Sequence, residues 1–213
     1  MRALVLAGLV VATLLVPSRA HAEIPPGAVF AEKPLPDGAV SVYGTLGFPG
    51  VQIGWRQGIS GAELGAVAGF DYSLTQLTLD VPFYVPVKQS KKFLVGVGVS
   101  AGGFVDFGAK YFESTNLPSA GLRLAANGEV TLRINESVDV FVAGSLPIEL
   151  PLTERGNDLY ALLVGGGVEL GVGDGFSVGA QLLAGPELLH PRGGQTAARF
   201  DGSLLVGLGK RFF

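Results

Sequence analysis

Cysteine is absent from this chain of 213 residues, and histidine occurs only twice. Without thiols there is no disulfide framework, no thiolate metal site and no lipid-modified N-terminal cysteine. Charged residues are scarce as well, at 15% of the chain, whereas soluble domains average about 25%. Acidic residues outnumber basic ones by 18 to 15, which excludes a strongly basic nucleic-acid binder. We therefore expect no metal, no cofactor and no nucleic-acid partner.

Residues 1–22 have the layout of a cleavable secretory signal. Met1-Arg2 gives a positive start, a largely apolar run without a charged residue covers residues 3–16, and the small-x-small triplet Ala20-His21-Ala22 closes the segment. A membrane-spanning helix would need about 20 apolar residues, and Pro17 ends this run before that length. We predict a signal peptide that directs the chain across the inner membrane and is then removed.

The remainder of the chain is hydrophobic, yet its apolar runs are short. Mean hydropathy is +0.44 over the whole chain, but after the signal no stretch of 18 or more apolar residues occurs. A hydrophobic chain without a spanning helix has one main way to lie in a membrane. This is the closed β-barrel, in which neighbouring strands satisfy one another's backbone groups.

Apolar residues alternate with polar or small residues along most of this part. Between residues 75 and 87 the odd positions are Thr, Leu, Leu, Val, Phe, Val and Val, whereas the even positions include Gln76 and Asp80. A period of two is that of a β-strand. We count ten predicted strands, near residues 39–47, 51–57, 62–72, 74–87, 93–107, 121–134, 138–150, 158–172, 176–188 and 198–213.

These strands predict an all-β fold, a single antiparallel up-and-down transmembrane β-barrel over residues 39–213 with about ten strands. Connections alternate between tight turns and longer loops, as short periplasmic turns and long outer loops do in bacterial barrels. Eight strands is the alternative, because the connections around residues 48–50 and at Ser73 are short. Residues 23–38, which contain four prolines, are predicted to form an extended periplasmic lead-in.

The tight turns also predict which residues of neighbouring strands face each other. Centring each turn on its middle residue brings apolar residues together, as the shared face of a hairpin requires. The predicted apolar pairs are Trp55 with Leu64, Val87 with Phe93, Ile134 with Val138, and Val172 with Phe176. On the other face, the same registers set Arg56 opposite Glu63 and Arg133 opposite Asp139.

The polar face of the strands is crowded with glycine, whereas a face turned to water would carry more charge. Small residues suit the concave interior of a narrow barrel, so the apolar face is predicted to point outward to lipid. Aromatic residues fall at both ends of that outer face, as the two interfacial girdles of a membrane barrel do. The predicted girdles are Trp55, Phe93, Phe176 and Phe212 at the turn ends, and Phe70, Tyr72, Phe107, Tyr160 and Phe200 at the loop ends.

Charged side chains on the inner face must pair or meet water, because burial without a partner is costly. Ten acids and five arginines fall at inward positions. We predict a lumen charge network of Arg56, Glu63, Asp80, Arg123, Glu129, Arg133, Asp139 and Glu169. This network fills the barrel, or alternatively lines a narrow, water-containing path whose acidic excess favours cations.

At the level of architecture, residues 39–213 resemble the small bacterial outer-membrane β-barrel proteins. The chain ends Leu208-Gly209-Lys210-Arg211-Phe212-Phe213, and members of that class commonly end in a phenylalanine that the assembly machinery reads. The resemblance implies that Phe213 is the assembly signal, although Arg211 and Gly209 stand where the class usually has apolar residues. It also implies a place in the cell outer membrane, among lipid and lipopolysaccharide, with periplasmic chaperones and the barrel-assembly machinery as partners.

Residues that could carry catalysis are few. Gly98-Val99-Ser100-Ala101-Gly102 matches the G-x-S-x-G pattern, but in hydrolases that serine lies on a sharp strand-to-helix turn, whereas alternation runs straight through Ser100. After the signal the only histidine is His190, in a predicted loop. We predict a non-enzymatic integral outer-membrane protein with a structural or surface-contact role and at most a narrow, cation-preferring pore. The alternative is a surface hydrolase or lipid-modifying enzyme that uses loop residues.

Overall fold

The computed structural model describes residues 27–31, 35–108, 118–154, 156–191 and 195–213. Eleven strands make up the regular structure of this part: β1 (Val40–Phe48), β2 (Gly50–Ile59), β3 (Ala62–Asp71), β4 (Gln76–Gln89), β5 (Phe93–Asp106), β6 (Ser119–Asn135), β7 (Val138–Pro151), β8 (Asn157–Ala161), β9 (Leu163–Gly173), β10 (Phe176–Pro191) and β11 (Ala197–Phe212). Among these residues no helix is long and apolar enough to cross a membrane. The predicted signal peptide lies outside the described residues.

The strands close into an antiparallel, up-and-down barrel. Consecutive strands pair from β1 to β7 and from β9 to β11, and the ring closes where β1 pairs with β11, from Val40 opposite Phe212 to Phe48 opposite Leu204. β8 and β9 occupy one position, because both lie between β7 and β10 and are separated only at Leu162. The described strands therefore fill ten positions. The predicted all-β barrel is confirmed, and the alternative of eight strands is wrong.

The two ends of the barrel differ. At one end, the turn end, strands are joined by the tight turns Ser60-Gly61, residues 90–92, Glu136-Ser137 and Asp174-Gly175. The opposite end, the loop end, carries the longer connections, such as residues 107–118 and 152–156. β1 begins and β11 ends at the turn end, so the chain that precedes β1 approaches the barrel there.

The β2–β3 hairpin differs from its prediction by two positions. Its turn is Ser60-Gly61, one residue further along the chain than predicted, and both residues have positive φ, 51° and 79°. This is a type I′ turn, in which glycine at the second position adopts positive φ without steric cost. The predicted pairs for this hairpin are therefore wrong: Trp55 lies opposite Ala66 instead of Leu64, and Arg56 lies opposite Gly65 instead of Glu63.

In the other three hairpins, one residue bulges out of the ladder near the turn. The register shifts at Val87, Ile134 and Val172. The predicted pairs Val87 with Phe93, Ile134 with Val138 and Val172 with Phe176 are therefore wrong. Arg133 does lie opposite Asp139, as predicted. A bulge adds one residue to one strand and increases its twist, a change that the alternation of residue types does not reveal.

The outer surface of the barrel is apolar and its interior is polar. On β4, Leu79 is 61% exposed and the next residue, Asp80, is 7% exposed. The same order holds on β9, where Val168 is exposed and Glu169 is fully buried. This arrangement is the inverse of a soluble protein, in which acidic residues are almost never fully buried. The prediction that the apolar face points outward is confirmed.

Several glycines on the inner face make room for aromatic side chains of the neighbouring strand. A Cβ atom on Gly54 would lie 2.2 Å from the Tyr43 ring, one on Gly96 would lie 1.5 Å from the Tyr84 hydroxyl, and one on Gly167 would lie 2.5 Å from the Phe141 ring. Each ring therefore covers a glycine, an arrangement that compensates for the missing side chain in a strand. Because the rings of Tyr84 and Phe141 are buried, they fill part of the lumen.

Candidate functional site: the barrel interior

An arginine between two acids organises the interior near the loop end. Arg123 of β6 makes an ion pair with Asp80 of β4 and a second with Glu149 of β7, in which Nε and Oε1 are 3.2 Å apart. Gln76 of β4 donates a hydrogen bond from Nε2 to the other carboxylate oxygen of Glu149, at 2.9 Å. The cluster therefore links strands that are not all neighbours, across the inside of the barrel.

Inward charges are distributed unevenly along the barrel. At the turn end, three acids accompany three arginines, namely Glu63, Asp139 and Glu169 with Arg56, Arg133 and Arg211. The other seven of the ten inward acids share the rest of the interior with only Arg123 and Arg199. Arg199 pairs with Glu187 at 2.7 Å. Acidic and basic side chains are therefore balanced at the turn end. The excess of acids lies in the rest of the interior, towards the loop end.

Residues 27–31, the inner segment, lie inside the turn end of the barrel. Ala28 and Ala31 are fully buried, and Val29 is nearly so. The centre of the Phe30 ring lies 6.3 Å from that of Phe141 on β7. The inner segment belongs to the stretch predicted as an extended periplasmic lead-in, and its position within the lumen was not foreseen from the sequence.

A single carboxylate binds the inner segment. Glu169 of β9 accepts hydrogen bonds from five consecutive backbone N–H groups. Those of Gly27, Ala28 and Val29 reach Oε1 at 2.6, 2.6 and 3.2 Å, and those of Phe30 and Ala31 reach Oε2 at 2.8 Å each. Successive N–H groups that converge in this way form a concave anion site. Because Glu169 is fully buried, these bonds replace the water that its charge would otherwise require.

Other side chains bind the carbonyl groups of the inner segment. Arg56 and Arg211 both donate from Nη2 to the Gly27 carbonyl oxygen, at 3.0 and 2.5 Å. The Ser41 hydroxyl donates to the Ala28 carbonyl oxygen at 2.8 Å. Hydrogen bonds from charged donors are stronger than those between neutral groups. The backbone of the segment is therefore held through its N–H groups by β9 and through its carbonyls by β1, β2 and β11.

Residues 35–39, which precede β1, are fixed at the mouth of the barrel. The Leu35 N–H donates to Glu63 Oε1 at 2.8 Å, and the Gly38 N–H donates to the Gly58 carbonyl oxygen at 3.0 Å. Glu63 also pairs with Arg56 at 3.5 Å, diagonally across the β2–β3 ladder. The pair that was predicted from a wrong register thus forms through a diagonal contact, and it helps to hold the entering chain.

Four glycines of the barrel wall leave space for this chain. Three of them face the inner segment: a Cβ atom on Gly209 would lie 2.8 Å from the Ala28 carbonyl oxygen, one on Gly207 would lie 2.4 Å from Val29 Cγ1, and one on Gly179 would lie 2.8 Å from the Phe30 ring. The fourth faces the chain at the mouth, where a Cβ atom on Gly58 would lie 2.3 Å from the Pro36 carbonyl oxygen. A larger residue at any of these positions would collide with the chain inside. The glycine-rich inner face therefore accommodates both aromatic rings and the inner segment.

Two separate cavities lie near the inner segment in the lumen. A mouth cavity of about 240 Å³ lies at the turn end, between Pro36 and Phe213. Val29 and Phe30 line a second cavity, of about 230 Å³. No described residue lines both. The second cavity continues into a third, of about 270 Å³, which reaches the loop end and shares Gln52, Ser145, Gln181 and Leu183 with it. We call these two connected cavities the chamber.

The eight residues of the predicted lumen network form separate clusters. Asp80 and Arg123 belong to the cluster near the loop end, and Arg56, Glu63 and Glu169 hold the entering chain, as described above. Arg133 pairs with Asp139 at 3.8 Å. Glu129 accepts a hydrogen bond from the Thr131 hydroxyl at 2.5 Å. The predicted network left out further participants, among them Ser41, Gln76, Glu149 and Arg211.

One signal for the inner segment was available in the sequence. Asp139 and Glu169 lie directly opposite each other on β7 and β9, and like charges at opposite positions destabilise a sheet. Aligning the two strands by their apolar faces brings these acids together, which indicates that another group must neutralise them. Arg133 compensates Asp139, and the inner segment supplies the N–H groups for Glu169.

The residues predicted as aromatic girdles lie near the two ends of the outer face. Phe176 begins β10 and Phe212 ends β11 at the turn end, whereas Phe107 and Phe200 are exposed at the loop end. Of the others, Phe93 begins β5 at the turn end, Trp55 lies in the middle of β2, and Phe70, Tyr72 and Tyr160 lie towards the loop end. Phe213, the predicted assembly signal, follows β11 and lines the mouth cavity. Their roles at a membrane stay predictions.

The residues considered for catalysis lie on strands that are not neighbours. Ser100 is in the middle of β5, opposite Pro82 and Ala125. His190 is near the loop end of β10, where its Nδ1 lies 2.8 Å from the Thr196 hydroxyl. Within the part of the chain that the structure describes, no group of three His, Cys, Asp or Glu residues could hold a metal ion.

Sequence and structure comparisons give different results for this chain. No protein-family model matches the sequence, and no curated protein matches it. Twelve chains of solved structure are similar in fold. One of them is a NanC porin, with a TM-score of 0.40 and 9% sequence identity, over 81% of this chain and 98% of that chain.

Proposed function

We propose that this protein is a non-enzymatic integral β-barrel of the bacterial outer membrane, with a structural or surface-contact role and at most a narrow, cation-preferring pore. The main support for the proposal is the orientation of the side chains in the barrel wall. Apolar side chains cover the outside of a closed ring of strands, and charged side chains face its interior. Soluble monomers rarely expose apolar patches larger than a few hundred Å². A bilayer accommodates such a surface, and the closed ring pairs the backbone groups that lipid could not satisfy.

The ends of the apolar surface support the same proposal. Lys210 lies 4.4 Å from the centre of the Phe176 ring and 5.5 Å from that of Phe212, and Lys88 lies 5.5 Å from that of Phe93. Aromatic rings and long basic side chains are typical of the level where hydrocarbon meets lipid headgroups. Lipid and lipopolysaccharide are the contacts that follow from this position, and periplasmic chaperones and the assembly machinery are the partners that would deliver the chain.

The interior favours a barrel that conducts little at rest. Eight strands enclose a lumen filled by side chains, whereas roughly 16 to 18 leave an open channel, and this barrel has ten positions. The buried rings of Tyr84 and Phe141 and the inner segment occupy part of the interior. The acidic excess of the chamber attracts cations, which gives any residual path its preference.

Spin labels at Val97 and Ser100 test which face meets lipid. The chain has no cysteine, so a single introduced cysteine carries each label at a unique site. Val97 is 50% exposed on the outer face, and we expect its label in phospholipid vesicles to be relaxed by lipid-soluble oxygen. The label at Ser100, on the inner face of the same strand, should respond little. The reverse pattern would contradict the proposal.

Current through the unmodified protein should be small and carried by cations. Under a KCl gradient across a planar bilayer, we expect a reversal potential displaced towards that of potassium, because acidic groups exceed arginines in the chamber. Asp71 and Asp201 line the chamber near the loop end, and their joint replacement by asparagine should reduce the displacement. A large, chloride-selective current from the unmodified protein would contradict the assignment of the lumen.

A further inference from the structure

We infer that the inner segment is a releasable plug that Glu169 holds in the lumen, and that its withdrawal through the turn end opens a path from the chamber to the mouth cavity. The inference rests on the proposed function, since such a path has a use only if the barrel spans a membrane. Its starting point is the geometry of the lumen. Val29 and Phe30 of the segment line the chamber. Arg211, which donates a hydrogen bond to the Gly27 carbonyl oxygen, lines the mouth cavity.

The barrel closes without the inner segment. Residues 27–31 lie outside the eleven strands, and the ring is completed by the pairing of β1 with β11. The segment is attached through polar contacts at three points, the Glu169 carboxylate and the carbonyl oxygens of Gly27 and Ala28. Its withdrawal therefore breaks hydrogen bonds to side chains and leaves the strand ladder intact.

The wall around the segment would leave an open space after withdrawal. Gly179, Gly207 and Gly209 face the inner segment and have no side chains that could fill the vacated volume. Glu169, Arg56 and Arg211 would then face the lumen, where water can hydrate them and where their opposite charges can pair. Charged groups that line a gap favour water in it, so the vacated space would form a polar connection between the two cavities.

Replacing Glu169 by glutamine tests the attachment. Glu169→Gln preserves the shape of the side chain, but it removes the negative charge and changes one of the two accepting oxygens into an amide nitrogen that cannot accept. In planar bilayers we expect the fraction of time in a conducting state to rise at least about tenfold, because charge-assisted hydrogen bonds are roughly twice as strong as neutral ones.

Glu187→Gln is the matched control for this experiment. Glu187 is also an inward glutamate, 2% exposed, but it pairs with Arg199 on β11 and does not hydrogen-bond the inner segment in the structure. We expect this variant to conduct as little as the unmodified protein. For both variants, heat-dependent migration on gels confirms that the barrel has folded before conductance is compared.

A disulfide can lock the segment in place. A Cβ atom on Gly209 would lie 2.8 Å from the Ala28 carbonyl oxygen and 3.0 Å from the Ala28 Cβ atom, so the segment must move slightly away from β11 to accept a cysteine there. A displacement of about 0.5 Å relieves this collision and brings the two Cβ atoms to the spacing of a disulfide. We expect Ala28→Cys with Gly209→Cys, added to Glu169→Gln and oxidised, to abolish the conducting state. A reducing agent should restore it, because the chain then has no other cross-link. The same variant before oxidation is the control for the two substitutions.

The outcomes separate the plug from the membrane assignment. A folded, inserted Glu169→Gln variant that stays silent, or an oxidised variant that still conducts, would overturn the plug. If Glu169→Gln does not fold, deletion of residues 27–31 replaces it, and silence of that folded variant has the same meaning. If none of the proteins inserts into vesicles, the proposed function fails.

The docking of the segment is then tested in detergent alone. The disulfide between residues 28 and 209 should form in higher yield with Glu169 than with glutamine at that position, and equal yields would overturn the role of Glu169 in holding the segment.

Discussion

Arginine in place of Val99 should destabilise the barrel in a bilayer by about 2 to 4 kcal/mol, the cost of this side chain on the lipid face near the midplane. Val99 lies in the middle of β5 and is 57% exposed. Its neighbours across the ladder are Phe83 and Ala126, which are exposed on the same outer face. A guanidinium group at this position would therefore be surrounded by hydrocarbon. Urea-induced unfolding in phospholipid vesicles measures the change in free energy.

Val87→Arg is the matched control for Val99→Arg. Val87 is 64% exposed on the outer face, but it lies near the turn end, next to Lys88. Close to the interface the same substitution costs only about 0 to 1 kcal/mol, because the guanidinium group reaches headgroups and water. Equal destabilisation at the two positions, or none at either, would show that the outer face does not cross a hydrocarbon layer.

Replacement of Arg123 by methionine should lower the free energy of unfolding by about 3 kcal/mol. Arg123 is the cation between Asp80 and Glu149, and methionine retains much of its apolar volume without the charge. Removing one partner of a buried ion pair costs roughly 3 to 5 kcal/mol, because the other charge stays buried without compensation. The Arg123 side chain is 28% exposed, which places the expected loss at the lower end. Urea-induced unfolding of the two proteins in the same vesicles gives the difference.

Neutralising the two acids should rescue the arginine variant. Asp80→Asn and Glu149→Gln, added to Arg123→Met, remove the like charges that the single substitution leaves facing each other. We expect the triple variant to recover most of the lost stability, since neutral amides can hydrogen-bond one another in the lumen. A triple variant as unstable as Arg123→Met alone would assign the loss to packing, and the charge cluster would then have little part in holding the barrel together.

The strands and the orientation of their two faces could be predicted from the sequence, because each position of a strand faces either the outside or the interior and its residue type matches that side. Along β4, Leu79, Val81 and Phe83 point outward, and Asp80 and Tyr84 are buried inside. Side chains of a strand alternate between its faces whatever the neighbouring strand is. A period of two in a single stretch of sequence was therefore enough to identify the strand, its two faces and, repeated along the chain, the barrel.

Hairpin registers depended on backbone detail that residue type does not encode. The bulges at Val87, Ile134 and Val172 insert an outward apolar residue into an already apolar face, so the pattern looks regular. The shift at Ser60-Gly61 had a sequence signal, a Ser-Gly dipeptide that suits positive φ.

The position of the inner segment was decided by the tertiary structure. Its sequence, Gly-Ala-Val-Phe-Ala, has no charge and no period of its own. The carboxylate that binds it, Glu169, is 142 residues away from Gly27, and it comes within reach only after the ring has closed. The sequence determined that Glu169 of β9 would face the interior with an acid, Asp139, and no arginine opposite it. Which group satisfies that acid depended on what the closed barrel encloses, because a hydrogen bond forms only between groups that the whole fold has brought within about 3 Å.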